Sequence, residues 1–382
     1  EFKNYGFEYK MLMKGKIKNI KTTNLYGIKY YKSNNTSKQG PGSDSSDADF
    51  KFYNSQFPAY QNQSSYIYPN LNIALFSENI FYLSNKLSIT PGIRYEQIKT
   101  VSDGSYKFVL IDGAGNAITD TTYQNLTKNE RQFILLGLGL SYKSEKNIEY
   151  YANISQNYRS VTFADISIEN PAYIVNPNIE DEKGYTTDFG LRGNINNLIS
   201  YDINAFQILY KKRIGFVPKV QDDGNVKSER GNIGDAKIIG LESLIDFNIF
   251  NIIPSNFKLN YFINGAFINS EYFDSEQNGV VGNNVEFVPK FNIKTGLYST
   301  YKNININVQY TYLSQQFTDA SNAIESSLSG VIGQIPEYEI LDLNMSLKRK
   351  KYIIECGINN LLNASYYTRR ATGYPGPGII PS

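Results

Sequence analysis

The stretch ININVQYTYL, Ile304–Leu313, alternates from its first residue to Tyr312. Ile304, Ile306, Val308, Tyr310 and Tyr312 fall on one side of an extended chain, and Asn305, Asn307, Gln309 and Thr311 on the other. Successive side chains of a β-strand point to opposite faces, so this is a strand that meets two different environments. Either an oily core lies on one side with water on the other, or lipid lies outside and a watery lumen inside.

The same two-faced pattern recurs. LSITPGIRYE sets Leu87, Ile89, Pro91, Ile93 and Tyr95 against Ser88, Thr90, Gly92, Arg94 and Glu96. LDLNMSL sets Leu341, Leu343, Met345 and Leu347 against Asp342, Asn344 and Ser346. In NIEYYANISQNYR, Ile148, Tyr150, Ala152 and Ile154 oppose Glu149, Tyr151, Asn153, Ser155, Asn157 and Arg159. The polar faces carry Asn, Arg and Glu, and the apolar faces form a band about ten residues tall, as in a lipid-facing belt around a hydrated interior. Residues 72–83 and 200–211 do not alternate cleanly, and their facing is left open.

Period-2 runs between turn signals give about fourteen strands. Pairs are joined by brief polar turns at residues 14–19, 84–86, 144–147, 194–197, 254–256, 301–303 and 348–351. Between pairs, long connections rich in Gly, Ser, Asn and Asp run near residues 33–70, 100–130, 160–184, 218–236, 274–286, 318–336 and 364–382. In an up-and-down meander this puts every short turn at one rim and every long loop at the other, the asymmetry of outer-membrane barrels. Loops of that length are unusual in a compact soluble domain.

Composition agrees. The 382 residues are 41% hydrophobic, with 32 Tyr, 22 Phe and no Trp, and mean hydropathy is −0.40. No run approaches the roughly 20 apolar residues of a spanning helix, which leaves a membrane barrel open. Tyr suits an interface that is greasy at one end and wet at the other. A net charge of +2 gives no reason to expect a nucleic-acid partner. The chain has no His, which removes Ser-His-Asp and Cys-His catalysis and His-ligated zinc, and an enzyme is not expected. A single cysteine, Cys356, excludes an intrachain disulfide. The runs GAGN (Gly113–Asn116) and GYPGPG (Gly373–Gly378) lack the strand-then-helix setting of a phosphate loop, and DSSDADF lacks EF-hand spacing.

The segment GINNLLNASYYTRRATGYPGPGIIPS (Gly357–Ser382) resembles the penultimate strand and final loop of TonB-dependent outer-membrane receptors, with Leu362 where the family usually has Phe. TPGIRYE and NLLN followed by Tyr point to the superfamily. KSNNTSKQGPGSDSSDADF, LFSENIFYLSNKLSITPGIRYE, NIGDAKIIGLE and the RRATGYPGPGIIPS tail resemble more narrowly the ferric dicitrate transporter branch, of Bacteroidetes type. The fold this implies is an all-β, transmembrane, antiparallel up-and-down β-barrel of about 22 strands around an N-terminal plug. The chain then reads as residues 1–382 of the C-terminal part, with about 14 strands, short periplasmic turns and long extracellular loops. A partial barrel would leave unpaired edges that lipid cannot satisfy, so a fragment of a longer precursor is expected, with plug and TonB box upstream.

The function implied is uptake of a ferric chelate, ferric citrate first, across the outer membrane of a Gram-negative bacterium. The partners implied are that anionic chelate, TonB through the plug, and outer-membrane lipid. No protein-bound cofactor is implied, because the iron arrives already chelated. Such a ligand calls for guanidinium, amide and hydroxyl donors at the outer mouth. The candidates are Arg94 and Arg159 on polar faces, with Lys38, Gln39, Arg131 at the top of its strand, Arg230, Arg369 and Arg370. Each could instead pair with a neighbouring carboxylate. Arg192 and Lys348–Lys351 read as structural features of the short-turn rim. Other readings are a receptor for another siderophore, a passive porin or structural barrel, and a soluble all-β carbohydrate-active or adhesion protein.

Overall fold

In the computed structural model the described residues are 1–40, 63–162, 165, 173–220, 226–249, 257–326, 332–370 and 379–381. Nineteen strands are defined among them: β1 (Asn4–Ile17), β2 (Ile20–Gln39), β3 (Gln63–Tyr82), β4 (Leu87–Ile111), β5 (Ala117–Lys143), β6 (Ile148–Arg159), β7 (Tyr173–Val175), β8 (Glu182–Ile195), β9 (Ile199–Val220), β10 (Val226–Asn248), β11 (Phe257–Asp274), β12 (Phe291–Tyr301), β13 (Ile304–Leu313), β14 (Gln316–Phe317), β15 (Gln334–Ile335), β16 (Tyr338–Arg349), β17 (Tyr352–Ile358), β18 (Tyr367–Arg370) and β19 (Ile379–Pro381). The chain divides into two units. The first comprises Glu1–Ile80, Pro91–Leu136 and Val161–Val175, and the second Phe81–Thr90, Gly137–Ser160 and Asn176–Ser382.

In the first unit the sheet order is β1-β2-β3-β4-β5. In the second the order is β5-β6-β8-β9-β10-β11-β12-β13-β16-β17, and the short pairs β14-β15 and β18-β19 stand apart. Fourteen strands take part in these two runs, and neighbouring pairs such as β8–β9 and β12–β13 are antiparallel. This is the meander expected from the turn spacing.

The short turns explain how the chain reverses so tightly. Two-residue loops join Ile17 to Ile20, Tyr301 to Ile304 and Arg349 to Tyr352. Their first residues, Lys18, Lys302 and Lys350, have positive φ, as do Asn147, Asn196 and Asn197 in the other short turns. Hairpin turns whose twist matches the strands need that left-handed backbone, and Asn tolerates it better than other side chains. The turn at residues 254–256 lies outside the described residues.

The sequence differs most from the structure in the first unit. Residues 100–130 are not a loop, because β4 runs on to Ile111 and β5 starts at Ala117. Only Asp112–Asn116 turn. The Asp112 carboxylate accepts the Asn116 and Ala114 N–H groups at 2.8 and 2.9 Å, and the Asn116 bonds hold it below the usual carboxylate range. Likewise β9 and β10 extend to Val220 and from Val226, into the span expected to be a loop.

Register sorts the side chains. Directly opposed residues share a face, and Val308 opposes both Leu297 and Leu343 while Asn305 opposes Thr300 and Ser346. The apolar face is exposed. Along β5, Ile134, Leu136, Leu138, Leu140 and Tyr142 are all exposed, Leu138 by 48%. Large apolar residues stand out in the same way on β6, β8, β10 and β12. A water-soluble monomer rarely presents so continuous an apolar surface. The polar face is instead cross-linked, with Asn305 receiving a bond from Thr300 and donating one to Ser346 at 2.8 and 3.2 Å. Lipid against the first face and water against the second satisfies both.

Arginine at the middle of a lipid-facing belt costs about 2–4 kcal/mol, whereas a lumenal position tolerates charge. Leu138→Arg is therefore expected to lower stability by about that amount, and Ser155→Lys by under about 1 kcal/mol. Urea unfolding of the full-length protein in phospholipid vesicles measures both, and equal costs would contradict the facing.

Candidate ligand-binding face

The polar face of the second unit is a network of ion pairs and hydrogen bonds. Opposed residues Glu149 and Arg192 pair at 3.1 Å, and Ser141 donates to the same carboxylate at 2.6 Å. The Arg192 guanidinium also lies 5.4 Å from the Tyr151 ring centroid, and the Tyr151 hydroxyl donates to Asp202 at 2.6 Å. Gly190 makes this possible, because a Cβ there would stand 2.3 Å from the Tyr151 ring. Arg192 is thus the structural rim residue its position implied. Next to it, Tyr151, Asp202, Asn204, Glu242, Asn264 and Lys294 line a 460 Å³ polar recess. This also settles β9, whose Asp202 and Asn204 share the polar face.

At the long-connection end the polar face changes character. Phe206, Ile208 and Tyr210 continue the same side of β9, and they pack against a cluster of Val217, Ile233, Ala236, Ile238, Tyr272, Val280, Val285 and Ala320. The connection between β11 and β12, expected to be a polar loop, therefore folds down as a packed element. Inside it Tyr272 donates to Glu286 at 2.6 Å, Arg213 Nε donates to the Tyr272 hydroxyl at 3.2 Å, and Arg213 pairs with Glu286 at 3.3 Å. Burial, with the Glu286 carboxylate close by, pushes the Tyr272 hydroxyl well above its ordinary range. Gly215 leaves the room this requires, since a Cβ there would meet Ile233 at 2.4 Å and Glu286 at 2.7 Å.

Arg159 stands beside this cluster, opposite Glu182 in register and paired with it at 3.1 Å. Glu182 is buried and also accepts the Ile214 N–H at 2.7 Å, whereas the Arg159 side chain keeps 40% of its surface exposed. Asn157, Arg159, Glu182, Tyr210 and Arg213 border a cleft of 420 Å³. A guanidinium, an amide and a phenol converge there, which is the donor set a carboxylate-rich anion needs.

The other candidates are dispersed. In the first unit Arg94 pairs with Glu96 at 2.5 Å and lies over Phe76, and Asn72 donates to the same carboxylate at 3.1 Å. Lys38 is exposed and Gln39 half-buried at the end of β2. Arg131 is half-buried within β5 rather than at its top, because the strand starts fourteen residues earlier. In the second unit Arg230 stacks on Phe216 at 4.7 Å. Arg370 donates to the Gln334 carbonyl at 2.8 Å, tying β18 to β15, while Arg369 is exposed. Among the candidates, Arg159 is seated in a formed cleft with other donors. Sequence reading missed Arg213, Tyr272 and Glu286, which lie 59 and 73 residues apart along the chain.

Removing one partner of a buried ion pair leaves an uncompensated charge and costs about 3–5 kcal/mol. Glu286→Ala is expected to destabilise the connection between β11 and β12 by that amount, and Tyr272→Phe by only about 1 kcal/mol. Hydrogen exchange over residues 270–290 reads both, and unchanged protection in Glu286→Ala would contradict the anchoring role.

Solved structures with the same fold carry receptor names. The ferric yersiniabactin uptake receptor FyuA from Yersinia pestis matches with a TM-score of 0.70 at 15% identity, over 100% of this chain and 52% of that one. The ferric citrate transporter FecA in its unliganded form matches at 0.71 and 18%, with the same coverage. The ferric-catecholate import receptor Fiu from E. coli K12 matches at 0.67 and 13%, again over 100% and 52%. The chain thus spans about half the length of these receptors. Comparison with curated proteins gives no match. The family described as TonB dependent receptor-like, beta-barrel, a family of outer-membrane transport receptors rather than enzymes, matches residues 3–361, and the chain belongs to it.

Proposed function

We propose that this chain is the C-terminal barrel portion of a receptor that imports a ferric chelate, with ferric citrate as the first candidate ligand. The observation that carries the reading is the Arg159 cleft at the end of the strands that bears the long connections. A ferric citrate complex presents carboxylate oxygens around iron that is already fully chelated. It needs charge-assisted donors rather than metal ligands, and guanidinium groups match carboxylates in a planar, two-point fashion. Glu182, directly opposite in register, orients Arg159, and Asn157 and Tyr210, one alternate step along the strands, add neutral donors.

Arg94, held by Glu96 on the polar face of the first unit, is a separate candidate contact. Lys38, Gln39, Arg131, Arg230, Arg369 and Arg370 are secondary contacts. The plug and TonB box would belong to the rest of the precursor. TonB would pull on that plug, drawing on the inner-membrane proton gradient, so no nucleotide site is required. The packed state of the connection between β11 and β12 argues for a preformed wall on that side, with ligand closure left to other connections.

Losing a charged hydrogen bond costs about 1.5–3 kcal/mol, or about 10- to 100-fold in affinity. Arg159→Ala in the full-length receptor is expected to weaken ferric dicitrate binding by about that factor, measured by calorimetry. Wild-type receptor that binds no ferric dicitrate but takes up another ferric siderophore would replace the ligand. Passive ion conductance without any chelate binding would favour the porin reading instead.

A further inference from the structure

Two long connections of the second unit are bonded to each other. The Asn283 amide, between β11 and β12, donates to the Ala320 carbonyl, between β14 and β15, at 2.9 Å. Asn284 and Asn322 exchange two bonds. The Asn284 N–H donates to the Asn322 side chain at 2.8 Å, and the Asn322 amide donates back to the Asn284 carbonyl at 2.9 Å. The Phe287 N–H reaches the Phe317 carbonyl at 2.9 Å. Asn322 has positive φ, a left-handed conformation that asparagine tolerates.

Asp319 adjoins these bonds and is 1% exposed, and its carbonyl accepts the Asn322 N–H at 3.2 Å. Its carboxylate Oδ2 accepts the Ser321 hydroxyl at 2.5 Å and the Ser321 N–H at 3.1 Å. The other oxygen, Oδ1, is buried and has no hydrogen-bond partner among the described residues. A fully buried Asp is normally paired, yet the donors of the neighbouring cluster, Arg213 of β9 and Tyr272 of β11, turn to Glu286. Glu286 itself faces Asp319 as a like charge. Asp274, Glu276, Lys290 and Glu325, on the two connections and their ends, are exposed. Burial raises the Asp319 carboxyl above its usual range against the Ser321 bonds, and the Glu286 charge adds to the rise.

We propose that Asp319 makes this junction a pH-sensitive clasp, closed while its carboxyl is neutral and loosened once it ionises. A neutral acid in a dry junction leaves one neutral polar group unmatched, whereas a carboxylate there meets a like charge with no water to screen it. Parting the two connections lets that charge hydrate and breaks the Asn283 and Asn322 bonds. The folded carboxyl holds its proton more tightly than the unfolded chain does. The clasp is therefore at full strength below about pH 4 and weakens as pH rises through the elevated folded value. Glu286 also anchors the wall beside the Arg159 cleft, so the clasp governs how firmly that wall is held. The proposal is independent of the imported ligand.

The test is hydrogen exchange of the full-length receptor in detergent. Protection over residues 280–288 and 317–323 is corrected for intrinsic exchange and referred to residues 292–313 of the β12–β13 ladder. From about pH 4 to about pH 8 it should fall about threefold or more. Asp319→Asn keeps an acceptor for Ser321 and cannot ionise, so its protection should not vary with pH and should exceed that of the wild type at about pH 8. Ser321→Ala removes a bond that favours the ionised form and should move the fall to higher pH. Glu325→Gln, on the same connection, should keep the wild-type profile. A flat wild-type profile, a fall retained in Asp319→Asn, or protection that rises with pH would overturn the assignment. Should Asp319→Asn fail to fold, an unshifted fall in Ser321→Ala would do the same.

Discussion

Inside a membrane every backbone N–H and C=O must find a partner within the protein, because hydrocarbon offers none. The ladders between β8 and β9 and between β12 and β13 meet that demand over their whole length. Between β8 and β9 the pairing runs from Lys183–Lys211 to Ile195–Ile199 with no break, and between β12 and β13 from Asn292–Leu313 to Tyr301–Ile304. Once the backbone is fixed in this way, parity alone assigns each side chain to lipid or lumen. Exposed Leu and Ile on one side and linked Asn, Glu and Arg on the other are two results of one constraint.

The place where the constraint lifts is visible too. Between β9 and β10 the register shifts twice, at Asn232/Gly234 and Gly234/Ala236, beside the positive-φ Lys212. A bulge adds a residue and swaps the faces beyond it. Up to Tyr210 the even-numbered residues of β9 hold the polar side, and after Lys212 the odd-numbered Arg213 takes it. The bulge thus turns Arg213 inward to Glu286 and Tyr272 and begins the packed cluster that borders the Arg159 cleft. Wall and candidate site are separated by one irregular residue.

This explains which parts could be read from the sequence. ININVQYTYL was legible because its two faces meet two solvents over its whole length, and the facing read for LSITPGIRYE and NIEYYANISQNYR holds for the same reason. Residues 117–130 were not legible as a strand, since both faces are largely exposed and nothing enforces alternation, and residues 100–111 were not because both faces carry buried residues, Thr100 and Ser102 on one and Val101 and Val109 on the other. Residues 200–211 resisted because the polar side of β9 passes from Asp202 and Asn204 to Phe206 and Ile208 where the connection between β11 and β12 covers it. Residues 72–83 resisted similarly, with Phe76 on the polar side beneath Arg94 and across Gly27. The Arg213–Tyr272–Glu286 contact carries no local signal, because it depends on that bulge and on long-range pairing. Arg159 was legible as a lumenal cation, but its buried partner Glu182 was not.

The most direct measurement of the central claim is the local solvent of alternate positions on β13. Nitroxide labels would be placed one at a time at residues 304–312 of the full-length protein in lipid, in a Cys356→Ser background. Collision with oxygen should dominate at Ile304, Ile306, Val308 and Tyr310, and collision with a water-soluble nickel chelate at Asn305, Asn307, Gln309 and Thr311. Oxygen and nickel accessibilities that fail to alternate, or that alternate with the opposite phase, would contradict the account.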